Sequence, residues 1–243
     1  MKKYILTLVI STTQMIAIAQ TINIHFKNGQ TIEYPSANVD YVDFSTKASD
    51  PNITAGQAVD LGLSVCWASC NIGAEKPEES GNYYAWGETS PKSIYTVNNY
   101  SFYDINTTIM VDIGSDISGT EYDAATVNLG SNWRTPTKTE MEELMNQCEW
   151  KWSQIHNMNG YVVTGKNGNS IFLPAVSLAN QNGPLNKSEL YYGTSTLEFG
   201  SVCCLEGYSS KIRLSIAARI LGLTIRPVTS NPNAVDNLGS SSN

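Results

Sequence analysis

The sequence carries one strong helix signal, and most of the remaining chain has the pattern of short extended segments. The helix signal follows Pro136, where Thr137 precedes Glu140 by three residues, the spacing of a capping box. One apolar stripe at helical spacing comes next and consists of Met141, Leu144, Met145 and Cys148. Such a stripe is typical of a helix face that packs into a core, and we interpret it in that way.

Extended segments dominate after this helix. Apolar alternation and turn residues predict strands at 161–164, 171–173, 191–196, 201–205, 211–217 and 221–228. Pro174 ends the second of these strands because proline cannot donate to a sheet ladder. One helix with many short strands indicates an α+β fold with long loops, which we place in a single domain at residues 55–229.

A smaller β segment precedes this domain. Residues 21–26 and 31–34 flank Asn28-Gly29, a strong hairpin signal, and a third extended piece follows at 39–44. We assign residues 20–48 to this N-terminal β segment and residues 49–54 to a linker. Two or three strands bury little surface alone, so the segment is expected to pack on the larger domain or to serve as an attachment element.

The first 19 residues have the pattern of a cleaved secretory signal. Lys2 and Lys3 precede a short apolar stretch, and Ala17 and Ala19 supply small residues before a predicted cleavage near Ala19-Gln20. An N-terminal anchor is the alternative, but the polar residues 11–14 interrupt the run that a bilayer span needs. We therefore expect a secreted or surface protein that does not span a membrane.

Charge excludes several partners. The chain has 22 acidic against 15 basic residues, a net charge of −7 and only 15% charged residues. Nucleic acids and anionic membranes are bound through clustered Lys and Arg, which this composition does not favour. The 41% hydrophobic content is sufficient for a folded core. Residues 92–119, rich in Asn, Ser and Thr, have loop composition, and the tail at 230–243 has the composition of a disordered segment. A long loop of this kind is usually functional or mobile.

The chain has five cysteines, Cys66, Cys70, Cys148, Cys203 and Cys204. An odd number leaves at least one thiol unpaired or bonded to another chain. Zinc is a weak interpretation, because the Cys66 and Cys70 spacing has no matching second pair. Adjacent Cys203 and Cys204 on a strand would point to opposite faces, one buried and the other exposed.

Seven ordered motifs in residues 55–229 resemble one family, the Fibrobacter succinogenes major paralogous (FISUMP) domain, which is common in secreted proteins of Bacteroidota-type bacteria. The motifs are Ala58 to Ala68, Asn71 to Ala74, Tyr84 to Thr89, Asp123 to Ala125, Trp133 to Thr137, Ile171 to Ala175 and Gly222 to Val228. The segment 21–45 is similar to a β element that often precedes such exported domains.

The resemblance implies a mixed sheet similar to C-type lectin-like domains and, more remotely, to formylglycine-generating enzymes. It implies a secreted, cell-surface or periplasmic location in a Gram-negative bacterium and a disulfide between Cys70 and Cys148. The motif residues to which we assign structural roles are Trp67, Trp86, Trp133, Arg134, Pro136, Arg226 and Pro227. Physical chemistry agrees for two of them, because Trp133 fills a core and the fork of Arg134 suits a carboxylate or carbonyls.

Catalytic chemistry is not evident in the sequence. The formylglycine generators need reactive cysteines near the final strand, and Cys203 and Cys204 stand about twenty residues too early to match that family pattern. Asp112, Asp116, Glu121 and Asp123 offer oxygen ligands for calcium, but their spacing matches no calcium loop and we interpret them as solvated. We therefore expect no catalytic residues and no cofactor, and rank an enzyme third.

The function that we expect is an exported, non-catalytic module that binds a glycan or a protein through loops of a lectin-like scaffold. The alternative is a structural subunit or tip component of a surface appendage, with the strands of residues 21–44 as the docking element. The resemblance assigns no ligand-binding residue. The better candidates for an exposed aromatic patch are the residues near the long loop, although burial is the default for any one of them: Tyr83, Tyr84, Tyr95, Tyr100 and Tyr103.

Overall fold

The structure, a computed structural model, describes residues 21–25, 31–35, 56–185 and 189–233 and divides into two compact units, residues 1–48 and 49–243. In the first unit, strand β1 (Thr21–His25) pairs antiparallel with β2 (Thr31–Pro35). The predicted hairpin strands are thereby confirmed. The predicted signal, the Asn28-Gly29 turn, the third extended piece and the linker lie outside the described residues.

The second unit is mainly β-sheet with two helices, an α+β class. The helices are α1 (Ala124–Leu129) and α2 (Lys138–Gln147). The strands are β3 (Ala58–Val59), β4 (Cys66–Ala68), β5 (Tyr103–Asp104), β6 (Ile109–Met110), β7 (Glu149–Ile155), β8 (Met158–Thr164), β9 (Ser170–Pro174), β10 (Ala179–Asn180), β11 (Gly183–Pro184), β12 (Leu190–Glu198), β13 (Ser201–Tyr208), β14 (Lys211–Ala218) and β15 (Val228–Thr229).

Helix α2 confirms the helix that the sequence predicts after Pro136. Thr137 is its N-cap, and Thr137 and Glu140 form the reciprocal capping box. Met141 and Leu144 are buried, while Met145 and Cys148 pack partly buried against the same core cluster. The second helix, α1, was not predicted. It has only six residues, and its N-cap is the buried carboxylate of Asp123.

Strands β12, β13 and β14 form an antiparallel sheet with β13 in the centre. Leu205 belongs to the cluster that contains α2 residues, whereas Val202 and Cys204 belong to a second cluster with Trp86. Both faces of β13 are therefore covered. Cys203 and Cys204 are both buried, at 2% and 0% exposure, so the prediction that one of them is exposed is wrong.

Strands β7, β8 and β9 form a second antiparallel sheet, and β7 was not predicted from the sequence. On β7, Trp150 and Trp152 pack edge-on against Tyr161 of β8, with ring centroids 5.4 and 5.0 Å apart. Each aromatic pair adds stabilisation beyond the area it buries. The tryptophans at alternate positions fix which face of β7 turns toward the core.

The predicted strand at 221–228 is largely replaced by isolated bridges. Leu223 bridges to Tyr84, Thr224 to Tyr192 and Val228 to Arg134. Because successive residues pair with different elements, the segment is extended without forming one ladder, and only β15 is a strand, paired with β4. Within the part of the chain that the structure describes, no helix has the length and apolar character to cross a membrane.

Candidate functional site

The long segment at 92–119 rests on a buried aromatic base. Tyr95 and Tyr100 are 2% and 3% exposed and pack with Ala85 and Ala179. The Tyr95 hydroxyl donates to the Tyr83 carbonyl, and burial raises the pKa of Tyr95 to about 12. These rings are consequently part of the fold and unavailable to a ligand.

The expectation of an exposed tyrosine patch is therefore wrong for most of its members. Tyr84, Tyr95 and Tyr100 are buried, while Tyr83 and Tyr103 pack partly buried against the same cluster. Their hydroxyls account for the difference, because they find internal acceptors: the Tyr100 hydroxyl donates to the Trp86 carbonyl at 2.8 Å. A buried tyrosine with a satisfied hydroxyl adds apolar area without leaving a polar group unpaired.

Arg219, the residue after β14, binds the segment 92–119 to the core. It is 7% exposed, and its guanidinium carbon lies 4.9 Å from the centre of the Trp86 ring. Its Nε donates to the Tyr100 hydroxyl at 2.8 Å, and Nη2 donates to the carbonyl of Val111 at 3.2 Å. The planar fork therefore joins the core to the chain that leaves strand β6.

Glu88 stabilises the other side of the aromatic base through contacts with residues of the same segment. Its Oε1 accepts from the backbone amide of Ser101 at 2.8 Å and from the Ser101 hydroxyl at 2.7 Å, and its Oε2 pairs with Lys92. Glu88 is 7% exposed, so these charge-assisted bonds lie in a largely dry environment. Arg219 and Glu88 hold the base at two points, and the sequence offered only their isolated charges as a signal.

Strands β5 and β6 form a hairpin above this base, and its apolar side chains point to solvent. The exposed fractions are 63% for Ile105, 63% for Ile109, 38% for Met110 and 43% for Val111. Four large apolar side chains in seven residues form a local apolar surface, which in a folded protein commonly marks an interaction site. We call residues 103–111 the apolar hairpin.

The turn of the apolar hairpin has its own hydrogen bonds. Asp104 accepts from the Asn106 amide and from the Thr107 hydroxyl, both at 2.9 Å. These bonds hold the pKa of Asp104 below its usual value. Below the hairpin, Phe102 packs edge-on against Tyr100 and Tyr122 with centroids 5.7 and 5.5 Å apart. The turn and the base are thus both internally bonded, while the apolar side chains are not covered.

Gly87 is required at the base of the hairpin. It has a φ of 85°, and a Cβ there would lie 2.6 Å from Ile113 Cδ1 and 2.9 Å from Phe102 Cε2. Only glycine tolerates both the left-handed backbone and the close approach. This packing draws the segment against the core next to Trp86.

The four carboxylates considered for calcium do not form a metal site. Asp112 accepts from the amide of Gly114, and Asp116 from the amide of Ser118, each at 2.9 Å. Asp123 is fully buried as the α1 N-cap, so the interpretation of this carboxylate as solvated is wrong. Among the described residues no group of three or more His, Cys, Asp or Glu side chains gathers around one point. The exposed carboxylates instead give the surroundings of the apolar hairpin a negative charge.

The motif residues assigned structural roles are placed in or beside the core. Trp67, Trp86 and Trp133 are buried, at 0%, 5% and 1% exposure, as are Pro136 and Pro227. The Arg134 fork contacts both carboxylate oxygens of Glu140, with Nη1 to Oε2 at 2.8 Å. Its expected carboxylate partner is therefore the capping-box glutamate of α2.

Arg226 is fully buried and is surrounded by oxygen acceptors. Its Nε donates to Asn71 Oδ1 at 2.8 Å, and its Nη groups donate to the carbonyls of Ala68, Ser69 and Phe172. Burial lowers the pKa of this guanidinium. The expected structural role of Arg226 is to bind three loop and strand carbonyls together.

The predicted disulfide between Cys70 and Cys148 is not formed, and all five cysteines are free thiols. Cys70 is buried, and its sulfur accepts from the Ser69 hydroxyl at 3.7 Å. Cys148 instead ends α2, where it packs against the cluster that contains Leu144, and burial raises its pKa. The two thiols thus belong to different packing environments.

One small cavity lies inside the described part of the second unit. A cavity of about 20 Å³ lies between Trp86, Thr135, Thr194 and Leu223, which is the room for one water molecule. The apolar hairpin, on an anchored base and on the surface, is therefore the candidate site in the described part of the chain. The sequence signal for it was available as four large apolar residues within residues 105–111.

Comparison with models of protein families, with curated proteins and with solved structures finds no match to this chain.

Proposed function

We propose that the chain is an exported, non-catalytic module that acts at the surface of a Gram-negative bacterium on a C-type lectin-like scaffold of the FISUMP type. In this proposal the apolar hairpin binds a protein partner. The observation that carries it is the concentration of four exposed aliphatic side chains on a hairpin whose base is fixed by Arg219 and Glu88.

A protein is favoured over a glycan for this surface. Glycans are bound by exposed aromatic rings together with polar groups that are free to hydrogen-bond. Near the hairpin, Tyr95 and Tyr100 are buried and Tyr103 is partly buried. The polar side chains of the turn, Asp104 and Thr107, bond to each other. The large side chains that remain exposed are apolar, and apolar surface is suited to an apolar groove of another protein.

The acidic residues near the apolar hairpin also indicate the charge that its partner should carry. Three acidic residues, Asp104, Asp112 and Asp116, lie along the same segment as the exposed apolar side chains. Like charges oppose an acidic partner and steer a basic one, so a groove bordered by Lys or Arg is the expected complement. The anchored base limits the conformational entropy that binding would cost.

The test is capture of biotinylated surface and secreted proteins of the producing bacterium by residues 20–243, quantified by mass spectrometry. The double substitution Ile109→Ser and Met110→Ser is expected to lower capture of the specific partner at least tenfold, since two central apolar contacts account for that much affinity. A matched control, Val127→Ser with Leu185→Ser, removes side chains that are 53% and 51% exposed elsewhere and is expected to retain capture.

Equal capture by the hairpin variant and the parent chain would contradict the proposal, as would the absence of any specific partner. The same experiment separates a second candidate function, a subunit or tip component of a surface appendage. That candidate is favoured by β1 and β2, because an isolated two-stranded sheet is marginally stable without a covering partner. It predicts a partner that hairpin variants keep and that is lost when residues 20–48 are deleted.

A further inference from the structure

A polar and aromatic cluster crosses one face of the β12–β13–β14 sheet at the Tyr208 end of β13. Tyr191, Glu206 and Arg213 are directly opposite one another on the three strands. Residues opposite in neighbouring strands share a face, so these three side chains form a row. Tyr208 lies two residues beyond Glu206 on that face, opposite Lys211 of β14.

Glu206 is the fixed centre of the cluster. Its side chain is 4% exposed, and its Oε1 accepts from Arg213 Nη2 at 2.8 Å and from the Tyr208 hydroxyl at 2.9 Å. Its Oε2 accepts from Arg213 Nε at 3.1 Å. Burial raises the pKa of Glu206, but the hydrogen bonds from Arg213, Ser215 and Tyr208 outweigh burial and lower it to about 2.

The two tyrosines are oriented by this carboxylate. The Tyr191 and Tyr208 hydroxyls influence each other's pKa, and the Tyr208 hydroxyl donates to Glu206. Tyr208 is nevertheless 40% exposed. Its ring is therefore held in one orientation by its hydroxyl while a large part of the residue faces solvent.

Donors remain available at the edge of the cluster. The Arg213 side chain is 56% exposed, and within the described residues no hydrogen-bond partner is found for its Nη1. Lys211 is exposed and forms no ion pair within those residues. Glu189 lies close enough to interact electrostatically with both tyrosines. Within the described residues, two acidic and two basic side chains therefore lie around the exposed ring, and their formal charges balance.

Stability alone does not account for this arrangement. Desolvating a carboxylate to pair it with an arginine offsets much of the Coulomb attraction, so apolar residues would serve the sheet as well. The gain is preorganisation, because Glu206 fixes the direction of one guanidinium and of one aromatic ring. A fixed ring beside directed donors is the arrangement that polar, ring-shaped ligands require.

We propose that this face binds a neutral pyranose unit of a glycan, with the C–H face of the sugar against the Tyr208 ring and hydroxyl groups accepting from Arg213 Nη1 and Lys211. A neutral sugar is favoured because Glu206 and Glu189 balance the two cations, which leaves no net attraction for an acidic one. This site is separate in its residues from the apolar hairpin, and it does not depend on the protein-binding proposal.

The test is an array of neutral and acidic glycans probed with residues 20–243. Neutral hexopyranose glycans are expected to bind, and Tyr208→Ala is expected to lower their signal at least tenfold. The matched control is Phe199→Ala, because Phe199 is a 98% exposed aromatic ring at the β12–β13 turn without the polar frame. Its removal is expected to leave the signal unchanged.

Arg213→Gln alone would leave Glu206 buried and unpaired, so the second test variant is the double substitution Glu206→Gln with Arg213→Gln. It is expected to retain the parent thermal midpoint within a few degrees and to lose the glycan signal. The proposal is overturned if no glycan binds, if only acidic glycans bind, or if both test variants keep the signal. The Ile109→Ser and Met110→Ser variant is expected to bind glycans normally, which separates failure of this proposal from failure of the hairpin proposal.

Discussion

Replacement of Asp123 by alanine is expected to lower the free energy of unfolding by about 3–5 kcal/mol. Asp123 is fully buried, and its two oxygens accept from the backbone amides of Gly119, Ala125 and Thr135 at 2.8, 2.9 and 2.9 Å. Oδ1 also accepts from the Thr135 hydroxyl at 2.6 Å. Alanine would leave these donors unpaired in the interior and would remove the N-cap of α1.

The measurement is equilibrium unfolding in urea, with an unchanged m-value as the sign that only stability has changed. Asp112→Ala is the matched control, since Asp112 is exposed and accepts from one amide in its own turn. The control is expected to differ from the parent by less than about 0.5 kcal/mol. A loss below about 1 kcal/mol for Asp123→Ala would contradict the account of this buried carboxylate. Asp123 also accepts from the amide of Gly119, the last residue of segment 92–119. The same variant is therefore expected to weaken the attachment of this segment, which includes the base of the apolar hairpin.

Replacement of Arg226 by methionine is the second large effect that we expect, again about 3–5 kcal/mol of unfolding free energy. Methionine has a similar length and no donors. It would leave the carbonyls of Ala68, Ser69 and Phe172 and the amide oxygen of Asn71 without their partner. Each unpaired acceptor in the interior costs on the order of 1 kcal/mol or more.

Lys166→Met is the control for this change, because Lys166 is exposed and its ammonium donates to Gln147 on the surface. Urea unfolding of both variants gives the comparison. If Arg226→Met does not fold at 25 °C, limited proteolysis of the soluble chain at 10 °C gives the second measurement, with rapid cleavage expected. An Arg226→Met chain as stable as the parent would show that the four acceptors are satisfied in another way.

Local patterns of the sequence were sufficient for some elements. The capping box of Thr137 and Glu140 and the stripe from Met141 determine α2 within a dozen residues. Strands β13 and β14 were also predicted near their observed positions, because each is bounded by turn residues. In these segments the signal and the structure that it describes are close in the chain.

Other features depend on partners that are distant in the chain. Arg226 bonds to Phe172, 54 residues away, and to Ala68, 158 residues away. Arg219 bonds to Tyr100 across 119 residues, and this contact buries a tyrosine that the sequence suggested was exposed. The burial of Cys203 likewise depends on the packing of both faces of β13. Propensity and periodicity carry no information about such tertiary partners.

The candidate site depends both on a local sequence signal and on contacts between residues that are distant in the chain. The loop composition of residues 92–119 indicated function, and the structure places an exposed apolar surface in that segment. The choice of side chains was wrong, since the aromatic residues form the base and the aliphatic residues form the exposed tip. Tyrosine hydroxyls found internal acceptors, whereas the aliphatics at 105–111 had no core within reach of the hairpin.

Site-specific photo-cross-linking on the surface of the producing cells tests directly whether the apolar hairpin binds a protein. A benzophenone side chain is placed at Ile109, on the apolar hairpin, and in a second chain at Phe199, which is 98% exposed on the β12–β13 turn. The proposed function predicts a discrete protein adduct from position 109 and none from position 199. Adducts of equal yield from both positions, or from neither, would contradict the assignment of the apolar hairpin as the protein-binding surface.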